Sequence, residues 1–273
     1  MNQAQKKTLL LKLAILPGFN KQNGFTLTEL IISTGLGILL SATLTQVYLS
    51  SAQTDTLIQQ QSLMQENARF AFSFIGESVR HAGFAGSLPE QQSALSNTSI
   101  AFNNLGVIFS QADHSVVGFD NSEAGDAPAG ARENSDQLFI RYQGVQAGLG
   151  EDAPITDCLG VALEEKEVVQ IRYYLDADNA QRSLLCASFI EGRDKAYQAQ
   201  PLIDQVNDLQ FLYGLDTDND GVINIYLPAS DERLNGGGNN WNQVVAVKMN
   251  IGLESNNEKT VKAFTEIIGL RNR

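Results

Sequence analysis

Two periodicities divide this chain. Residues 25–49 are apolar on every side, and their only ionisable side chains are Glu29 and Tyr48; the next charge is Asp55. About 20 helical residues cross a bilayer core, so the segment is long enough to span one. Leu30, Ile31, Ile32, Leu36, Ile38, Leu39, Leu40 and Leu44 supply the bulk. Gly35, Gly37, Ser41, Ala42 and the threonines are the small residues that let membrane helices pack closely. A buried core helix is the alternative, weakened by the lack of a polar face. Further on, Leu57, Met64, Ala68, Ala71, Phe72, Ile75 and Val79 recur at helical spacing, with Gln61 as a polar interruption on the same face. No proline occurs between Phe25 and Pro89, and Gly83 and Gly86 are stop signals. The pattern predicts one helix over residues 25–81, its first half in lipid and its second half against a soluble domain. Phe70, Phe72 and Phe74 read as core packing on that helix rather than as a cofactor box.

The period then changes to two. Residues 87–135 are rich in Ser, Asn, Gly and Ala and read as long loops with short strands at 99–102 and 106–109. Residues 137–142 and 168–175 alternate, and 183–187 returns from the latter through the turn-rich Asp176, Ala177, Asp178 and Asn179, which predicts a hairpin. Strands at 206–213, 222–227, 244–253 and 261–270 complete a β-rich region. Gly236, Gly237, Gly238, Asn239 and Asn240 read as a flexible loop. A long helix followed by antiparallel strands is an α+β layout, with the helix covering one sheet face.

Charge orients the span. Lys6, Lys7, Lys12 and Lys21 precede it, and no acid occurs in the first 24 residues, which keeps that end cytoplasmic. A secretory signal is the rival reading, but Lys12 interrupts its apolar stretch and no A-x-A-like site follows. The formal charge of the chain is −12, and losing the four leader lysines takes it to −16. Such a surface argues against nucleic acid as a direct partner and against lying on anionic lipid. Both cysteines, Cys158 and Cys186, follow the span and so fall across the membrane, where an oxidising compartment permits a disulfide. It closes a loop of about 29 residues, worth roughly 3–4 kcal/mol in the chain-entropy reading. Two unrelated buried thiols are the alternative, and CxxC spacing is absent.

The stretch KQNGFTLTELIIS, residues 21–33, closely resembles the type IV prepilin signature. The resemblance implies cleavage by a prepilin peptidase between Gly24 and Phe25, N-methylation of Phe25, and Glu29 at the family's hallmark fifth position of the mature chain. A carboxylate at membrane depth is costly unless paired. The resemblance implies that pairing: the Phe25 amine of a neighbouring subunit meets Glu29 in the assembling filament. Thr26 and Glu29 also fit an S/T-x-x-E capping box, which would use the same carboxylate to satisfy a backbone N–H at the helix start. The two roles are compatible. LMQENARFAFSFIGESVRHAGFAGS, YGLDTDNDGVINIYL and WNQVVAVKMNIGL resemble PilW-type minor pilins. Many pilins carry a kinking proline in the first helix; its absence here leaves Gly35 and Gly37 as the sources of any bend.

One stretch resembles a metal site. Asp216, Asp218 and Asp220 at alternate positions, followed by Gly221, match the first half of a calcium loop, with the Val222 carbonyl and the Asn224 side chain as further ligands. The twelfth position is Leu227 rather than glutamate, so Asp231 or Glu232 would have to fold back. Asp, Asn and Gly are equally the residues of an acidic hairpin turn, and both readings stay open. No enzyme motif competes: His81 and His114 are the only histidines, with His81 read as a surface or capping residue at the helix end, and no catalytic signature is present.

Together these readings predict a type IV pilin-like α+β protein. Residues 1–24 are the prepilin leader, 25–49 the transmembrane half of the helix, 50–86 its soluble half and 87–273 a β-rich periplasmic domain. The resemblance implies a non-enzymatic minor pilin that primes or caps type IV pilus assembly. It would be held in the inner membrane by a single pass and later incorporated into the pilus. The implied partners are other minor and major pilins, the prepilin peptidase and the inner-membrane assembly machinery. A minor pseudopilin of a type II secretion system is the nearest alternative, and a membrane-tethered enzyme the more distant one.

Overall fold

The computed structural model describes residues 24–85, 100–102, 106–109, 114–120, 130–145, 154–177, 182–193, 198–235, 240–255 and 261–272. The leader lysines and the tract at residues 236–239 lie outside the described residues, as does most of the stretch between residues 86 and 130. By contact the chain divides after Leu57 into two units, the second being Ile58–Arg273.

Helix α1 runs unbroken over Leu27–His81. Leu and Gln, both good helix formers, are frequent along it and proline is absent, which suits a long helix. In the first unit Leu30, Ile31, Ile32, Leu36, Ile38, Leu39, Leu40 and Leu44 are all more than half exposed. This part of α1 is long and apolar enough to cross a membrane.

In the second unit α1 buries Met64, Ala68, Ala71, Phe72, Ile75 and Val79. The expected stripe is present there, except that Gln61 is exposed; Leu57, the last residue of the first unit, is half-buried. The three phenylalanines do not all join the core. Phe72 is buried, whereas Phe70 is 49% exposed and stacks on the half-buried Phe74 at 5.7 Å between ring centroids. Residues two apart on a helix point about 200° from one another, so 70 and 74 share a face that 72 cannot reach.

The described strands form two larger antiparallel sheets and a small ribbon, as the α+β reading expects. A two-stranded ribbon pairs β1 (Ile100–Phe102) with β2 (Gly106–Phe109). Five antiparallel strands follow in spatial order β3 (Val116–Phe119), β4 (Gln137–Gln143), β5 (Val168–Leu175), β6 (Leu184–Ile190) and β7 (Gln198–Ile203). The expected hairpin is β5–β6, pairing Leu175 with Leu184. The second sheet has the order β11 (Val261–Gly269), β10 (Val244–Glu254), β8 (Val206–Leu215) and β9 (Ile225–Leu227). Strands β3 and β7 were not anticipated. The latter, QAQPLI, lacks alternation and contains Pro201, which an edge strand tolerates because its outer N–H needs no partner. The segment expected as a strand at 222–227 narrows to β9, since residues 216–222 are spent on a turn.

Within the second unit α1 meets both sheets. Ser78 Oγ lies 2.7 Å from the buried Tyr173 hydroxyl of β5, and the Ile268 side chain of β11 packs beside Gly76. The sheets join where the chain enters β4. Asp136 donates its N–H to the Leu209 carbonyl, and its carboxylate accepts the Phe211 N–H at 2.8 Å. Gly118 permits the close approach of β3 to β8, because any Cβ there would stand 1.9 Å from the Tyr213 hydroxyl.

The expectation of half-solvated, alternating strands fails in β4 and β5. Gln137, Arg141, Gln143, Gln170 and Arg172 are buried beside their apolar neighbours. Arg172 donates to Gln137 Oε1 at 3.0 and 2.7 Å and lies over the Tyr174 ring, while Arg141 donates to the His114 carbonyl and lies over Phe109. Paired hydrogen bonds and ring faces make such burial tolerable.

Candidate functional site

The amino-terminal end of α1 presents the first cluster of expected site residues. Gly24 is exposed, and Phe25 is 81% exposed. Thr26 and Glu29 form a reciprocal cap. The Thr26 N–H and hydroxyl donate to Glu29 Oε2 at 3.1 and 3.0 Å, and the Glu29 N–H donates to Thr26 Oγ1 at 3.3 Å. This is the capping box legible in the sequence. It uses one carboxylate oxygen and leaves the exposed side chain open to a second partner.

The second cluster surrounds the two cysteines, which form a disulfide with 6.4 Å between their α-carbons. Cys158 sits in the loop between β4 and β5, and Cys186 on β6 is fully buried. Asp157 organises this loop. One carboxylate oxygen accepts the N–H groups of Leu159 and Val161 at 2.9 and 2.7 Å, and the other accepts the Ser188 hydroxyl at 2.6 Å. The Tyr142 hydroxyl donates to the Thr156 carbonyl at 2.8 Å. The loop is therefore fastened to β4 and β6 beside the end of α1.

A small cleft opens there, lined by Phe74, Glu77, His81, Tyr142 and Gly160 among others. His81 is not the surface residue expected. It is half-buried, with its ring centroid 5.6 Å from that of Tyr142. Desolvation pushes its pKa below the usual histidine value; Glu77 opposes that shift, while Arg271 and Arg80 add to it. His114, by contrast, is buried at the start of β3.

The acidic loop joins β8 to β9. Asp216, Asp218 and Asp220 bring one carboxylate oxygen each within 4.8 Å of one another. Asp216 is 3% exposed; its two oxygens accept the N–H groups of Asp220 and Gly221 at 3.1 and 2.9 Å. Asp220 accepts the Val222 N–H at 2.8 Å, and Asn224 Oδ1 accepts the Thr217 N–H and hydroxyl at 2.6 and 2.9 Å. Gly221 holds φ at +89°, the left-handed conformation that favours glycine. The loop thus closes on its own hydrogen bonds, as turns rich in Asp and Asn do. Asp231 does not fold back toward it. Its carboxylate is committed to Arg233, at 2.8 Å from both Nε and Nη2, and is held down to about 2 by those bonds. It precedes a short helix α2 (Glu232–Asn235), in which Glu232 is exposed. A cation here would rest on Asp216, Asp218 and Asp220, with Asn224 already engaged by Thr217.

No curated protein matches the chain. Among solved structures, one chain of the GspK-GspI-GspJ complex from the enterotoxigenic Escherichia coli type 2 secretion system is similar at 13% identity and a TM-score of 0.39. That match covers 78% of this chain and 99% of the other. A type IV-like pilin from Thermus thermophilus is similar at 8% identity and a TM-score of 0.43, over 76% of this chain and 95% of that one. Residues 172–272, from within β5 to just past β11, match the family model of PilW, the type IV pilus-assembly protein W.

Proposed function

We propose that the protein is a minor pilin, a membrane-stored structural subunit that primes or caps a type IV pilus. The observation that carries the reading is the state of α1. Its first half displays a full turn-by-turn coat of exposed apolar side chains, from Leu27 to Leu49, on a chain whose PilW-type region lies in folded sheets. Such a surface needs lipid or other apolar helices around it. Both environments serve a subunit that waits in a membrane and then enters a helical bundle.

On this reading a prepilin peptidase cuts between Gly24 and Phe25, which stand exposed ahead of the helix, and the new Phe25 amine is methylated. Glu29 then receives the amine of a neighbouring subunit. The cap with Thr26 holds the carboxylate in place on the first turn, and its remaining oxygen is free for that contact. The sheets lie beyond the inner membrane, where the oxidised pair Cys158 and Cys186 is at home. The docking is non-covalent, and its partners are other minor and major pilins.

The test is twofold. Intact mass of the membrane-extracted protein should correspond to a chain beginning at a methylated Phe25. A strain lacking the protein should lose surface pili, and the protein should appear in sheared filaments of the parent strain. A chain that keeps its first 24 residues in the membrane overturns the reading. So does normal piliation with lost protein secretion, which would assign the subunit to a secretion pseudopilus.

A further inference from the structure

We draw no further inference here: the strongest candidate, the apolar surface patch of the exposed Leu63 and Phe70 and the half-buried Phe74 on the second-unit part of α1, carries nothing because nothing in the structure shows what covers it.

Discussion

Opening the bond between Cys158 and Cys186 should lower the stability of the second unit without dismantling the loop that carries Cys158. The bond joins residues separated by 28 positions. In the chain-entropy account, freeing a loop of about 29 residues returns about 3–4 kcal/mol to the unfolded ensemble. The folded side changes little, because the loop has other fastenings: the three hydrogen bonds to Asp157, the Tyr142 bond to the Thr156 carbonyl, and the bridge between Thr156 and Ala162. For a unit of this size each kcal/mol corresponds to about 2–4 °C in melting temperature, so the expected drop is about 6–16 °C. Reduction is a cleaner perturbation than substitution, since it keeps both sulfur atoms in the core. Both cysteines are buried, so the detergent-extracted full chain should be reduced while unfolded, alkylation avoided, and then refolded under reductant. Melting is followed by far-ultraviolet circular dichroism, and loop retention by limited proteolysis at residues 154–163 below the transition. A reduced protein melting within about 2 °C of the oxidised one would refute the entropic reasoning. Early cleavage of the loop would refute the claim that Asp157 holds it.

Four further outcomes are expected. Ser78→Ala strands the buried Tyr173 hydroxyl and should cost about 1–3 kcal/mol, and Tyr173→Phe in the same chain should recover part of that loss in a double-mutant cycle followed by urea denaturation. Glu29→Gln retains a capping acceptor but removes the charge, so the protein should be made and processed normally yet show a reduced ratio in sheared filaments to membranes; an unchanged ratio would leave Glu29 as a helix cap alone. Burial holds the His81 pKa below its ordinary 6.5, so its contribution is fully present above pH 6.5 and is lost as pH falls below that value toward the folded pKa; His81→Gln should flatten the stability profile between pH 7 and 5. Millimolar Ca²⁺ should raise the melting temperature by relieving repulsion among Asp216, Asp218 and Asp220, and Asp218→Asn, which spares the hydrogen bonds made by Asp216 and Asp220, should abolish the rise; no rise with the parent chain would make the loop an acidic turn only.

The sequence by itself determined what depends on local order. The apolar run after Phe25, the i, i+3, i+4 stripe ending at Val79 and the absence of proline define α1 to within two residues of its observed ends, because helix periodicity and capping are written in neighbouring positions. The Thr26 and Glu29 cap was legible for the same reason, as was the hairpin of β5 and β6, whose strands are joined by a turn-rich connection. Only the tertiary structure decided the rest. That strands β3 to β7 and β8 to β11 form separate sheets depends on which edges meet, as where Asp136 docks on Leu209 and Phe211, and no single segment encodes such a pairing. Burial of Arg141 and Arg172 ran against strand alternation because both faces of β4 and β5 are covered, with ring and amide partners from elsewhere in the chain. His81 looked like a terminal surface residue until the Cys158 loop was brought beside it by a bond to a strand 28 residues away. The place of β11 at the end of its sheet's described order is likewise invisible in VKAFTEIIG: a strand's composition says that it pairs, while only the tertiary structure decides with which neighbour.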